Sequence, residues 1–298
     1  MSGPTGHLYG KAVVVTGAGR GLGAAYARLA AAEGAAVVVN DVDEVQAEAV
    51  AAEIRAAGGR AEAVAGSVAD WDGAGAIVAA CVDAFGAIDG LVNNAGIFRL
   101  AGPAEQDPAD FRAVLEVNVL GTAYCGLHAI RAMLPRGRGS IVNVTSGAHA
   151  GSAAMGAYGA SKGAVASLTY CWAADLAGTG VRVNAVSPNA HTRMADAYEA
   201  YLGAAAQGQN IHKPPAQNAP AVVYLLSDAA AALHGQVVRL DGDELSMMAH
   251  PTVMGHGASD PAWTVESVAA AFAAGAVGPL SPVGLHRASA AGEPVQEQ

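Results

Sequence analysis

The stretch that most constrains the fold lies near the start of the chain. Ala12-Val13-Val14-Val15 is a short β-branched run bounded by polar residues. A run that is apolar at every position, rather than at alternate ones, fits a strand buried on both faces of a parallel sheet. It leads straight into Thr16-Gly17-Ala18-Gly19-Arg20-Gly21-Leu22-Gly23, and then into an alanine-rich helical stretch to about Glu33. Strand, glycine turn and helix in this order form a phosphate-binding unit. Glycines let the backbone approach a pyrophosphate, and the first helical turn offers free N–H groups and the positive end of its dipole. The spacing is Gly-x-x-x-Gly-x-Gly, and Gly17, Arg20, Gly21, Leu22 and Gly23 are expected to touch a dinucleotide.

A second run, Ala36-Val37-Val38-Val39, is followed by Asn40-Asp41. An acid at the end of the second strand accepts hydrogen bonds from the adenosine ribose hydroxyls and repels a 2′-phosphate, so Asp41 favours NAD over NADP. Arg20, inside the turn, cuts slightly the other way. Asp41 has a second reading as the N-cap of the next helix, which leaves ribose contact open.

The alternation then continues. Helices are expected at about 43–57, 71–85, 157–177 and 220–226, and strands at 61–65, 91–92, 140–145, 181–186 and 236–240. A longer helical region opens at Asp107-Pro108 and runs to about Leu134, with an irregularity near Asn118. Repeated strand–helix alternation with buried strands means an α/β fold, a doubly wound parallel sheet of about seven strands with helices on both faces. No linker breaks the pattern, so residues 1–243 read as one domain. Residues 244–298 are rich in Pro, Gly, Met and His, with one helix at 264–274. They read as an extension that packs on the core or on a neighbouring subunit, and the polar 292–298 reads as disordered.

The chain is 52% apolar and 14% charged, with a formal charge of −10. That charge argues against a nucleic-acid or anionic-membrane partner, whose phosphates would be repelled. Cys81, Cys125 and Cys171 are far apart and odd in number, so neither a disulfide framework nor a metal site is expected, and a reducing cytoplasm fits. No basic segment followed by an apolar run opens the chain, and no uninterrupted apolar stretch reaches the ~18 residues of a membrane span.

The chemistry concentrates in Tyr158-Gly159-Ala160-Ser161-Lys162. A tyrosine and a lysine four residues apart share one helix face, one turn apart. A nearby ammonium favours the phenolate, which makes the phenolic proton easier to move near neutral pH.

Taken together, Thr16-Gly-x-x-x-Gly-x-Gly, Asn93-Asn94-Ala95-Gly96, Asn118, Ser146 and Tyr158-x-x-x-Lys162 resemble, in order and spacing, the short-chain dehydrogenase/reductase family over roughly residues 8–243. The resemblance implies a Rossmann-like fold and a nicotinamide-dependent oxidoreductase interconverting an alcohol and a carbonyl. It implies Tyr158 as general acid/base, Lys162 lowering the tyrosine pKa and bonding the nicotinamide ribose, Ser146 holding the substrate oxygen, and Asn118 keeping a water that links Lys162 to solvent. It adds Ser67, Val68, Asn94, Ala95, Gly96, Pro188 and Thr192 to the cofactor contacts; Thr192 reads equally as a helix N-cap. It further implies a homotetramer or dimer, and a substrate lid at about 190–215.

There are departures. The interval from Ser146 to Tyr158 is one residue shorter than the family's more frequent spacing, which Thr145 would match. Ser67 stands where the family usually has Asp, and Asn189 where it usually has Gly. The lid segment has no cluster of Arg or Lys, so a phosphorylated or CoA-linked substrate is disfavoured. A neutral, mainly apolar secondary alcohol or ketone is expected. His149, Met155, Asn189 and His191 are the candidate substrate contacts, with surface or packing roles as the alternatives. A non-catalytic NAD-binding sensor or scaffold is the rival class.

Overall fold

The structure, a computed structural model, describes residues 6–203, 213–253, 257–276, 278 and 283–286. Contacts divide the chain into two units, Met1–Met248 and Ala249–Gln298.

The first unit is built on one eight-stranded sheet of order β3-β2-β1-β4-β5-β6-β7-β8. In chain order its elements are β1 (Ala12–Val15), α1 (Gly21–Ala32), β2 (Ala36–Asp41), α2 (Glu44–Ala56), β3 (Arg60–Ala65), α3 (Trp71–Phe85) and β4 (Gly90–Asn93). They continue with α4 (Pro108–Leu115), α5 (Gly121–Met133), β5 (Gly139–Val144), α6 (Gly156–Asp175), β6 (Val181–Asn189), α7 (Arg193–Leu202), α8 (Ala219–Leu226), β7 (Val237–Asp241) and β8 (Glu244–Met248). All ladders are parallel except β7–β8. The order reverses between β1 and β4, and in open α/β sheets the crevice at such a switch point, at the carboxyl ends of the strands, takes the ligand.

Strand side chains alternate between two cores. Val13, Val15, Val37 and Val39 face α1, α2 and α8, while Val14, Val38, Leu91 and Ile141 face α3 and α5. This explains the unalternating valine runs: each side chain is buried on one face or the other, at about 1.5–3 kcal/mol apiece. The helical stretch Pro108–Arg136 is long and apolar enough to cross a membrane by length and composition. Part of that apolar surface is Cys125, Ala129, Ile130 and Met133, buried in the second core.

Three expectations change in detail. First, β6 runs on to Asn189, so Pro188 lies inside a strand. The β5 partner has ended at Val144↔Val186, and Pro188 faces Leu240 on β7 only, where its missing N–H is tolerated. Second, the sheet has an eighth strand. Asp241 pairs with Glu244 across a tight turn at Gly242 (φ +70°), so the boundary at 243 falls inside a hairpin. Leu245, Ser246 and Met247 are exposed, which removed the apolar run that marks the other strands. Third, the irregularity near Asn118 is a π-helical stretch, Glu116–Leu120, between α4 and α5.

The second unit carries α9 (Val265–Ala273), closed at its start by a capping box between Thr264 and Ser267. The expected disorder at 292–298 falls outside the described residues, as does 204–212 of the expected lid.

Candidate active site

The phosphate-binding half forms first. The Thr16 hydroxyl accepts from the backbone N–H groups of Asn94 and Ala95, each at 3.1 Å, and Asn94 Nδ2 donates back to the Thr16 and Gly17 carbonyls at 2.9 and 3.0 Å. The glycine turn and the 94–96 loop are thereby clamped together. Gly17 has φ +61°, and a Cβ there would lie 2.7 Å from Ala95 Cα, so both conformation and space demand glycine. A Cβ on Gly23 would run into Asn94 Nδ2. The helices α2, α3, α4 and α7 begin on side-chain caps, whereas α1 begins at Arg20 with no side-chain hydrogen bond. Its first N–H groups remain available to an anion. These features fit a pyrophosphate.

Asp41 is buried at the end of β2. Its carboxylate accepts from Gly19 N–H at 3.0 Å and from Asp43 N–H at 3.1 Å. The N-cap of α2 is Asp43, whose side chain accepts from Gln46 N–H, so capping is not what Asp41 does. Arg20 is held by Asp43 at 3.0 Å. Two carboxylates thus stand against one guanidinium beside the glycine turn. Ser67 is exposed and accepts from Ala69 N–H at 3.1 Å, while Val68 is buried under the start of α5.

The reacting corner lies where β5 ends and α6 begins. Lys162 is 4% exposed, its Nζ donates to the Val144 carbonyl at 2.7 Å, and it stands 5.6 Å from the centre of the Tyr158 ring. Burial pushes the lysine down to about 8. Tyr158 is held above the ordinary tyrosine range by burial, and a hydrogen bond with Ser146 works the other way. Desolvation of the phenolate thus outweighs the lowering expected from Lys162. Phe98 packs edge-on against the Tyr158 ring at 6.0 Å.

The two hydroxyls left open by the short spacing have different surroundings. Thr145 is buried and donates to the Lys162 carbonyl at 2.7 Å, while Ser146 is half-buried and meets the phenol. Asn118 is fully buried in the π-helical stretch. Its carboxamide takes Ile97 N–H at 2.8 Å and gives to the Ile97 carbonyl and Ser161 Oγ, each at 2.9 Å.

Of the other expected positions, His149 stays beside the phenol's partner, with Nδ1 2.6 Å from the Ser146 carbonyl oxygen, while Thr192, His191 and Asn189 are engaged elsewhere. Thr192 accepts from Ala195 N–H as the N-cap of α7, the second of its two readings. His191 pairs with Asp196 at 2.7 Å. Asn189 donates to Asp241 at 3.0 Å, and Lys213 and Arg239 share that carboxylate. His149 and Met155 line a cavity of about 190 Å³ with Ser152 and Gly159. A second cavity, about 240 Å³, lies at the opposite end of the strands, where Lys11–Asp228 and Arg138–Asp89 pair and Arg182 donates to main-chain carbonyls. It is distant from the tyrosine and its charges are already matched.

Residues 11–200, more than half of the chain, match the family model described as short chain dehydrogenase. The chain belongs to the short-chain dehydrogenase family. It is an oxidoreductase of the type that acts on CH–OH groups, in a family that binds a nicotinamide cofactor. Among curated relatives, the cis-4-hydroxycyclohexanecarboxylate dehydrogenase of Sinomonas cyclohexanicum is 43% identical over 238 residues, covering 78% of this chain and 95% of the relative. Among solved structures, a short chain dehydrogenase from Mycobacterium avium superimposes with a TM-score of 0.81 at 35% identity, covering 93% of this chain and 99% of the other. A gluconate 5-dehydrogenase from Burkholderia cenocepacia, solved with NADP and tartrate, gives 0.72 at 32% identity, covering 79% of this chain and 95% of the other.

Sequence reasoning about this short-chain dehydrogenase passed over Phe98, Ser161 and the Val144 carbonyl. Ser161 left a readable signal, since it lies one turn from Tyr158 on a helix already singled out. Phe98 and Val144 left none, because their contacts depend on how a loop and a strand end meet α6.

Proposed function

We propose that the protein is an NAD-dependent dehydrogenase that interconverts a neutral, mainly apolar secondary alcohol and its ketone, with Tyr158 as general acid/base. The observation that carries this reading is the corner itself: a phenol bonded to a serine hydroxyl and set beside a buried, pKa-depressed lysine. When bound, the nicotinamide cofactor supplies the hydride acceptor or donor. In the oxidising direction the Ser146 hydroxyl holds the substrate oxygen while Tyr158 takes the hydroxyl proton, and the carbonyl product leaves. In reverse, Tyr158 returns that proton. Lys162 stabilises the phenolate formed. Both Asn118 amide hydrogens are committed, to the Ile97 carbonyl and Ser161 Oγ, so a relay water would donate to an Asn118 oxygen rather than accept from its amide.

NAD is favoured because Asp41 is buried at the turn and Arg20 is occupied by Asp43. Support for a secondary alcohol on a cyclohexane ring comes from the relative named for cis-4-hydroxycyclohexanecarboxylate, whose substrate carries a carboxylate besides its hydroxyl. The reading includes a reducing cytoplasm, consistent with three free thiols among the described residues, and a homo-oligomer, which light scattering would count.

The test follows reduced-nicotinamide absorbance with NAD and NADP over a panel of neutral cyclic secondary alcohols, beside Tyr158→Phe. The expected result is NAD-dependent turnover that falls by roughly 10²–10⁴ in the Phe variant. Turnover that persists in Tyr158→Phe would remove the acid/base role. Tight NAD binding without turnover on any alcohol or ketone would favour a sensor.

A further inference from the structure

Ser161 is 0% exposed and sits between Tyr158 and Lys162 on α6. Its hydroxyl donates to the Tyr158 carbonyl at 2.7 Å and accepts from Asn118 Nδ2 at 2.9 Å. A serine that bonds back to its own helix usually gains nothing specific and slightly loosens the turn. Here the same oxygen also receives a donor from another element, so its donor and one acceptor site are both engaged.

The partner is equally committed. The two Asn118 amide hydrogens go to the Ile97 carbonyl and to Ser161, and its oxygen takes the Ile97 N–H. This pattern fixes the amide orientation, because a flipped carboxamide would aim a donor at Ile97 N–H. One hydroxyl therefore joins three segments: the loop after β4, the π-helical stretch and the first turn of α6. Gly96 precedes Ile97, and a Cβ there would lie 3.3 Å from Asn118 Oδ1 and 3.6 Å from Lys162 Nζ, so the clamp lies against the lysine.

We propose that Ser161 is a positioning residue for the reaction: through Asn118 it locks Ile97 and the Tyr158 main chain into one rigid unit, which sets where the phenol and the lysine meet the cofactor. This rests on the dehydrogenase reading above. Ser161 touches neither substrate nor cofactor in this role. Alanine at 161 keeps the helix and the packing but leaves a buried Asn118 N–H without an acceptor, so the carboxamide must turn or recruit water. Small misplacements at this distance from the chemistry have large effects on rate.

The test is Ser161→Ala, read in two ways. Amide exchange at Ile97, measured by NMR, should accelerate roughly tenfold, while a core amide such as Val142 stays protected. In turnover, kcat should fall about tenfold or more with the KM for NAD within about twofold, since the lesion misplaces reacting groups and leaves the binding turn intact. Ser161→Thr, which keeps the hydroxyl, should recover part of kcat. Unchanged Ile97 exchange would overturn the clamp. Faster exchange with unchanged kcat, or equal losses at Val142 and Ile97, would overturn the positioning role. A wild-type protein without turnover would instead sink the dehydrogenase reading, and the exchange measurement would still decide the clamp.

Discussion

Lys162 shows at the scale of one residue why this corner is costly to fold. Its pKa lies near 8 in the folded chain against 10.5 for an ordinary lysine, because burial penalises the ammonium. The folded state therefore binds fewer protons than the unfolded one between those values. The resulting destabilisation, about 3 kcal/mol, is fully present below pH 8 and fades as pH rises toward 10.5. Lys162→Met should raise the unfolding free energy at pH 7 by roughly 1–2 kcal/mol, after the lost bond to the Val144 carbonyl is deducted. It should also abolish turnover. Urea unfolding at pH 7 and pH 10 checks this: the advantage of the variant must shrink at the higher pH. Asp41 carries a second residue-scale prediction. A carboxylate near a 2′-phosphate costs between about 1 and 4 kcal/mol depending on solvent screening. Asp41→Asn should therefore raise the NADP/NAD ratio of kcat/KM by about tenfold or more. Parallel losses with both cofactors would mean that Asp41 only shapes the turn through Gly19 and Asp43.

Elements were legible where burial left a mark in the sequence. The valine runs of β1 and β2 announce strands covered on both faces, and α2 closes at Ala56 within a residue of its expected end at 57. Strand β8 was invisible because its side chains face solvent, and register against β7 is what makes it a strand. The order of the site motifs was readable, yet the contact between Asn118 and Ser161 was not. It needs a π-helical turn to bring residue 118 against α6, and no spacing rule reports that. The same join makes Gly121 critical, since α5 starts there: a Cβ would lie 2.5 Å from Val68 Cγ2 and 3.1 Å from Val68 Cβ. Gly121→Ala should lower stability by about 1–3 kcal/mol in denaturant melts, because the Val68 backbone is close as well and cannot swing aside. Chains ended after Met248 and after Asp243 provide the matching test of β8. The shorter should melt several degrees lower, at roughly 2–4 °C per kcal/mol for a domain of this size.

Across the whole molecule, polar function gathers at the carboxyl ends of the strands, and the opposite end is closed by internally matched charge. The clamped glycine turn, the uncapped start of α1 and Asp41 all converge on the switch point between β1 and β4. A ligand held there bridges both halves of the sheet and binds only the folded state. At about 100 times its Kd, such a ligand adds about 2.7 kcal/mol to the unfolding free energy. With the melting slope of a domain this large, NAD should raise Tm by roughly 5–10 °C, and NADP at equal concentration by clearly less. Gly17→Val should remove most of the NAD shift, because its Cβ would collide with Ala95 and break the clamp between the turn and the 94–96 loop. Equal shifts with both dinucleotides would reject the role given to Asp41. A shift that survives in Gly17→Val would place the dinucleotide away from the glycine turn altogether.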